Sequence, residues 1–333
     1  TWMPIGSYAN RFAGTFDGDN HTISGLYLLT GYRRQGLFSA TAEGSTVKNI
    51  RLTNSYFKST VTGGQSEFGS IVGDAIGTFS NIYSNAIIVG SGIQNGGILG
   101  YVTGNSTIDN AWFDGSITNS RTTDLRIGGI VGHVATNVTA DFTNCLNTGA
   151  ISGPNATGND VCIGGIVGWV GTSATMTNCL ALGPVTALNG GNNIGSIAGH
   201  DAGEVITVTN VYGTAASHKW KGVTKAYRIE NNNYTTLLGE TATTTFAGFD
   251  FDDTWAVVEG NTPVLKSFYD IMIDTSWYDE SQSEFTLMDS GDLYGFALLS
   301  QTHTFTEKTI KLGADIEVNK GKATTMGWDT TMS

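Results

Sequence analysis

The 333-residue chain is poor in charge, in proline and in cysteine, with 14% charged residues, 4 Pro and 3 Cys. Ordinary soluble domains carry about 25% charged residues. Surface helices need Lys, Glu and Arg in quantity, so this scarcity argues against a helical protein. So few prolines, and no three-residue glycine period, exclude a collagen-like chain. Cys145, Cys162 and Cys179 are too few, and odd in number, for a disulfide framework, and no C-x-x-C pair points to zinc or redox chemistry. No apolar run approaches the roughly 18 residues that would span a bilayer. Cations are scarce too, 17 Lys and Arg against 29 Asp and Glu, for a net charge of −12. Such a surface repels phosphate backbones and anionic headgroups, so nucleic acid and membrane are poor candidate partners.

What the chain does have is glycine, 45 of them, with 40% hydrophobic and 10% aromatic residues. That apolar content can form a core and argues against disorder. The length allows one large domain or two ordinary ones. The sequence starts at Thr1 without Met or a leader, which reads as a segment of something longer.

The main signal is a repeat. Gly-[Gly/Ser]-Ile-[Val/Leu/Ala]-Gly begins at Gly69, Gly96, Gly128, Gly164 and Gly195, with a looser copy at Gly36-Leu37-Phe38. About a dozen residues after each aliphatic comes Thr/Asp-x-x-Asn, whose asparagines are Asn49, Asn81, Asn110, Asn144, Asn178 and Asn210. Seven residues beyond these stand Tyr56, Ile88, Ile117, Ile151, Val185 and Ser217. Units of about 32 residues without helical periodicity fit one solenoid coil each, with three short strands per coil. The segments are β-branched and bounded by Gly, Asn, Thr and Ser, as short strands with tight turns are. Stacked in register, Ile71, Ile98, Ile130, Ile166 and Ile197 form one inward row with Leu37 beneath. The glycines suit corners of positive φ or close backbone approach. The asparagines form a second ladder, bonding between coils or capping a turn.

The phrases Gly-Gly-Ile-Val-Gly and Thr143-Asn144-Cys145-Leu146-Asn147-Thr148-Gly149-Ala150-Ile151-Ser152-Gly153 resemble the GLUG repeat of bacterial secreted and surface proteins. That repeat occurs in adhesin-like proteins and in non-catalytic regions of some IgA-specific metallopeptidases. Trp2-Met3-Pro4-Ile5-Gly6, with Phe12 to Gly18 and His21 to Leu26, is similar to the opening of such a domain. Trp255 to Gly260 and Pro263-Val264-Leu265 are similar to its close. The resemblance covers about residues 1–266 and implies a fold, since the family is defined by architecture and not by a reaction.

Beyond Val211 the landmarks fade. Residues 218–248 read as an irregular Thr- and Asn-rich stretch, and Phe249 to Phe268 as strand-like alternation. Ser290 to Leu299 reads as a short capped amphipathic helix, and Thr309 to Val318 as a strand. The expected organisation is 1–217 regular coils, 218–268 irregular closing strands, and 269–333 a segment with a helix and strand. In the GLUG family such a helix and strand precede the opening. The chain therefore reads as one unit of a tandem array cut out of register, or as a unit whose tail completes the open first coil of another copy.

Candidate chemistry is sparse. Cys145 and Cys179 fall where other coils carry Ile50, Ile82, Ala111 and Val211, so they read as buried small hydrophobes, and Cys162 as equally inert. His21, His133, His200, His218 and His303 make no metal-ligand spacing, and no nucleophile elbow or phosphate loop occurs. Asp17 and Asp19 resemble the start of a calcium loop but lack its later Gly and Glu, so a turn is the reading. Asp250 and Asp252 would share a strand face, where paired carboxylates could serve glycoside hydrolysis or hold an ion. Sequons at Asn20, Asn105, Asn137, Asn155 and Asn233 are no more than composition supplies. One constellation stands out. The residue after each Gly-x-Ile-x-Gly phrase is Asp74, Tyr101, His133, Trp169 and His200 in turn. Alternation places these on the outer surface, stacked rung on rung, as a strip that could stack on sugar rings or pack beneath a neighbouring loop.

The sequence thus predicts an all-β, right-handed parallel β-helix of about six coils with a less regular C-terminal cap, its hand following parallel crossovers. The expected role is a non-enzymatic, extracellular bacterial surface module for adhesion or ligand display, without metal or other cofactor. A glycan or an extracellular host protein is the expected partner. Two other classes stay open: a subunit assembling head-to-tail into a fibre through the solenoid ends, and a polysaccharide-acting β-helix enzyme.

Overall fold

A computed structural model describes the chain apart from residues 1, 62–65, 155–159, 187–192, 202, 204, 215–227, 230–240, 259–261, 270–272 and 317–333. The expected landmark Ser217, His218, the sequons at Asn155 and Asn233, and most of the stretch 218–248 lie outside the described residues. The described chain divides into two compact units, residues 1–231 and 232–333.

The first unit is a parallel β-solenoid of about six coils. One ladder stacks Tyr27–Thr30, Tyr56–Ser59, Ile87–Gly90, Ser116–Asn119, Ala150–Ser152 and Val185–Thr186. A second stacks Arg34–Gln35, Glu67–Gly69, Gln94–Gly96, Leu125–Gly128, Val161–Gly164 and Ile194–Gly195. The third is longer and bent, and includes Thr46–Thr53, Val72–Ser84, Leu99–Phe113, Ser173–Ala181 and Ile206–Thr214. The predicted isoleucine row, Ile71 to Ile197 with Leu37, lies in the core with no member more than 2% exposed. Burying each such side chain contributes about 2 kcal/mol.

The repeated asparagine makes the bend. All six adopt left-handed backbone, φ between 50° and 55°, a region Asn tolerates better than other non-glycine residues. Inserting one such residue breaks the two-residue alternation, so positions two before and one after it both face inward. Val47 and Ile50, Phe79 and Ile82, Ile108 and Ala111, Phe142 and Cys145, and Met176 and Cys179 are all buried. The amides turn outward and bond between coils. Asn81 Nδ2 donates to Asn49 Oδ1 at 2.8 Å, Asn110 to Asn81 at 2.9 Å and Asn210 to Asn178 at 3.0 Å. At the head of the ladder Asn49 donates to Asp17 Oδ1. This bond first, with the Asp19 N–H and the Lys48 ammonium, holds the Asp17 carboxyl down at about 2. Halfway along, Asn144 turns to Asp109 Oδ1 at 3.3 Å.

Replacing Asn81 by Ala should therefore cost more than replacing it by Gly, although both remove the amide. Only Ala adds the left-handed penalty, about 1–2 kcal/mol. Thermal unfolding of the two variants measures the gap; a glycine variant as unstable as the alanine one would refute a conformational role for Asn81.

The Gly-x-Ile-x-Gly phrase is an arch whose two arms touch backbone to backbone. A Cβ on the first glycine would lie 1.8 Å from Leu99 O at Gly96, 1.9 Å from Val131 O at Gly128 and 2.0 Å from Val167 O at Gly164. A Cβ on the last glycine would meet the backbone of the preceding coil, at 2.7 Å from Phe68 N for Gly100 and 2.7 Å from Ile127 N for Gly168. No side chain fits between the arms at either place.

One landmark is displaced. The spacing equates Tyr56 with Ile88, whereas the register pairs Ile88 with Phe57 and Tyr56 with Ile87. An extra residue follows Asn49, so Phe57 takes the core position and Tyr56 stacks on Tyr27 with ring centroids 5.7 Å apart. All three cysteines are free and buried. Burial pushes the Cys162 thiol up to about 12 and holds the Cys145 thiol well above the usual range.

The second unit pairs Trp255–Ala256 with Val264–Leu265 in antiparallel fashion, over a core including Phe246, Trp255, Leu265 and Phe268. Asp250 and Asp252 do not share a strand face. The Asp250 carboxylate accepts the N–H groups of Asp252 and Asp253, folding the segment into a turn. The predicted helix spans Ser290–Leu299 with Asp289 as N-cap, and Glu284–Leu287 runs parallel to Thr309–Leu312. The buried face of the helix is made by Gly291, Asp292 and Gly295 rather than by its leucines, because Gly295 abuts the Asp274 carbonyl.

Candidate functional site

The arch decides where the candidate strip falls. The strand after each arch carries Asp74, Tyr101, His133, Trp169 and His200 on successive rungs, and the ladder pairs each with the next. The rings form a column. Tyr101 and His133 have centroids 4.6 Å apart at 18°, His133 and Trp169 5.3 Å apart at 28°, and Trp169 and His200 5.1 Å apart at 68°.

The column is less open than alternation implied. Tyr101, His133, Trp169 and His200 are half-buried, and Asp74 is buried outright. The cause is a second row, two residues before each arch: Arg34, Glu67, Gln94, Arg126 and Cys162, also in register. Touching arms bring this row beside the column of the next coil. The Arg126 guanidinium lies 4.1 Å from the Trp169 ring centre, and Arg34 Nε donates to Asp74 Oδ2 at 2.8 Å. The constant offset of this row from the glycines is present in the sequence, but its residue types differ from coil to coil, so no motif marks it.

The seam between the rows concentrates polar groups. Glu67 Oε1 and Oε2, Gln94 Oε1, Arg126 Nε, His133 Nδ1 and Trp169 Nε1 are buried, with no hydrogen-bond partner among the described residues. Burial raises the Glu67 carboxyl, against the fields of Arg34 and Arg33 at 3.8 Å. Burial, then the Arg126 charge, lowers the His133 imidazole to about 3, so the ring is neutral at physiological pH. Burial, followed by the Asp74 charge, raises the Tyr101 phenol. Tyr101 and His133 therefore stand in the column as neutral rings.

At the head of the seam Asp74 is clasped by cations. Its carboxylate accepts from Arg11 at 3.1 and 2.8 Å, from Arg34 at 2.8 Å and from the Thr103 hydroxyl at 2.5 Å. The Tyr8 ring covers both guanidiniums, 3.9 Å from Arg34 and 5.0 Å from Arg11. Beside it opens a cleft of about 340 Å³ lined by Tyr8, Tyr32, Arg33, Arg34, Gln35 and Ser39. Of the other histidines, His21 is exposed in the first coil and His303 packs on Tyr278 in the second unit. Among the described residues no three His, Cys, Asp or Glu side chains gather as a metal site, and no helix is long and apolar enough to cross a membrane.

No family model matches the chain. It is 35% identical over 82 residues to a candidate Gly-rich membrane protein of Evansella cellulosilytica, covering 24% of this chain and 9% of that protein. It is 32% identical over 93 residues to halomucin of Haloquadratum walsbyi, covering 28% of this chain and 1% of halomucin. The chain thus spans a small part of the curated relatives it matches. A crystal structure of a candidate immunoglobulin A1 protease from Bacteroides ovatus shares the fold, with a TM-score of 0.55 and 18% identity, covering 76% of this chain and 77% of that one.

Proposed function

We propose that this chain is a GLUG-type, non-enzymatic module of an extracellular surface protein, and that it displays the Tyr101–His133–Trp169–His200 column as a carbohydrate-binding face. The column carries the reading: four rings at rung spacing, about 4.8 Å, the first three stacked face to face, present a ribbon of half-buried ring edges along which successive sugars of a chain could lie. The names of the two relatives, a Gly-rich membrane protein and halomucin, support a surface location. A narrow solenoid with a dry core also suits reach and toughness outside the cell.

The test is a binding screen of the purified chain on arrayed glycans and matrix proteins, repeated with Tyr101→Ala and Trp169→Ala. A saturable hit weakened at least about tenfold by Trp169→Ala, near the upper range for losing one stacked ring and its cation contact, is the expected result. Binding unchanged by both substitutions would dispose of the column as the site, and a wholly negative screen would leave a spacer.

A further inference from the structure

The cationic cleft at the head of the seam is lined by residues that the ring column does not use. The chain has seven arginines, and three of them, Arg11, Arg33 and Arg34, converge here on an otherwise acidic protein. Asp74 is committed to Arg11 and Arg34 through three hydrogen bonds. The ion pairs of the Glu67 carboxylate are long, 3.8 Å to Arg33 and to Arg34, and neither of its oxygens is hydrogen-bonded among the described residues. Three guanidiniums thus meet one well-paired carboxylate and one buried, poorly paired one, whose burial favours its neutral form. The cleft keeps net positive charge.

Its walls supply a different chemistry. Tyr8 is 60% exposed and Tyr32 78% exposed, on loops flanking the two adjacent arginines. Both rings line the one cleft beside a cation, so their open faces are available to a ligand there. Tyr8 is braced by the guanidiniums beneath it, and Arg34 is fixed by Asp74, so one wall is preorganised. The Arg33 side chain, about half exposed, lies on the same wall. A planar guanidinium matches a carboxylate in two-point fashion, while tyrosine faces match the apolar face of a pyranose.

We propose that the cleft formed by Tyr8, Tyr32, Arg33 and Arg34 binds a uronic acid residue of an acidic saccharide, its carboxylate on Arg33 and its ring against the tyrosines. The assignment rests on the reading of this module as carbohydrate-binding and specifies the charge of the saccharide. The column begins one rung beyond, at Asp74 and Tyr101, so a chain anchored by its acid in the cleft could continue along the rings.

The experiment titrates the full chain with oligogalacturonate and oligoglucuronate trimers, with their methyl esters, and with inorganic sulfate. Expected are saturable binding of at least one acid, at least about tenfold weaker binding of its ester, and a similar loss in Arg33→Gln and Tyr32→Ala. Both variants change exposed side chains, and thermal unfolding should confirm that they fold as the parent does. Ester binding as tight as acid binding, or an unaltered Arg33→Gln, overturns the proposal. Sulfate competing as strongly as the trimer also overturns it, leaving a simple anion site. Trp169→Ala separates the two readings: loss of neutral-glycan binding there, with uronate binding absent throughout, keeps the column and sinks the cleft. Uronate binding that survives Trp169→Ala but not Arg33→Gln keeps the cleft and removes the column.

Discussion

Gly128→Ala is expected to abolish the native solenoid or to destabilise it by more than about 4 kcal/mol, beyond what most single substitutions do. The added methyl would lie 1.9 Å from Val131 O and 2.7 Å from Gly168 N, and both are backbone atoms. A flexible side chain could swing aside, but the arch that carries them is held by ladder bonds, Gly97 N to Gly128 O and Val131 N to Ile166 O among them. Opening one arch would therefore pull its neighbours out of register. Gly44→Ala is the control. Gly44 has φ +77° with nothing within 4 Å of the added Cβ, so it pays only the left-handed penalty, about 1–2 kcal/mol. Circular dichroism during thermal unfolding compares the two. Similar losses at Gly128 and Gly44 would mean that the arch glycines serve conformational freedom and not contact.

That contrast also shows what the sequence revealed. The glycine phrase, the asparagine and the aliphatic row recur at matching offsets, and each answers a demand repeated in every coil: touching backbones, a left-handed corner, an inward slot. Repetition makes such demands visible without a structure. Cys145 and Cys179 were placed correctly because Ile82 and Val211 occupy the same slot in other coils. The aromatic column was legible for the same reason. Its half-burial was not, since a residue's outward direction says nothing about what lies beside it. The cover comes from Arg34, Glu67, Gln94 and Arg126, whose chemistry differs from coil to coil and so forms no pattern of type. Tyr56 shows the complementary failure: one added residue after Asn49 shifted the count, and only the register assigns the core position to Phe57.

Asp74 is the residue at which a sequence reading and the structure part furthest, and its replacement should have the second large effect. Read as the polar member of an outer strip, Asp74→Ala would be nearly silent. In the structure the carboxylate is 1% exposed and holds Arg11 from 63 residues away and Arg34 from 40. Removing one partner of a buried ion pair usually costs about 3–5 kcal/mol. Arg11 and Arg34 keep 20% and 18% of their side-chain exposure, so water recovers part of the loss and about 2–4 kcal/mol is the expectation. The damage should be local first. Arg11 lies beside Phe12, whose N–H bonds to Ala40 O and whose carbonyl accepts from Ala42 N, and Ile5 bonds to Leu37 O and Ser39 N in the same opening segment. Without the clasp, amide hydrogen exchange should rise across residues 5–12 and 37–42 before the later coils respond. A double-mutant cycle with Arg11→Met should recover a coupling energy well above that of an exposed pair, which is about 0.2–1 kcal/mol. If exchange in the opening segment is unchanged and the cycle shows no coupling, the ion cluster is ornamental to stability. If both change, Asp74 joins the two rows of the seam, fixing the opening segment through Arg11 and one wall of the cationic cleft through Arg34.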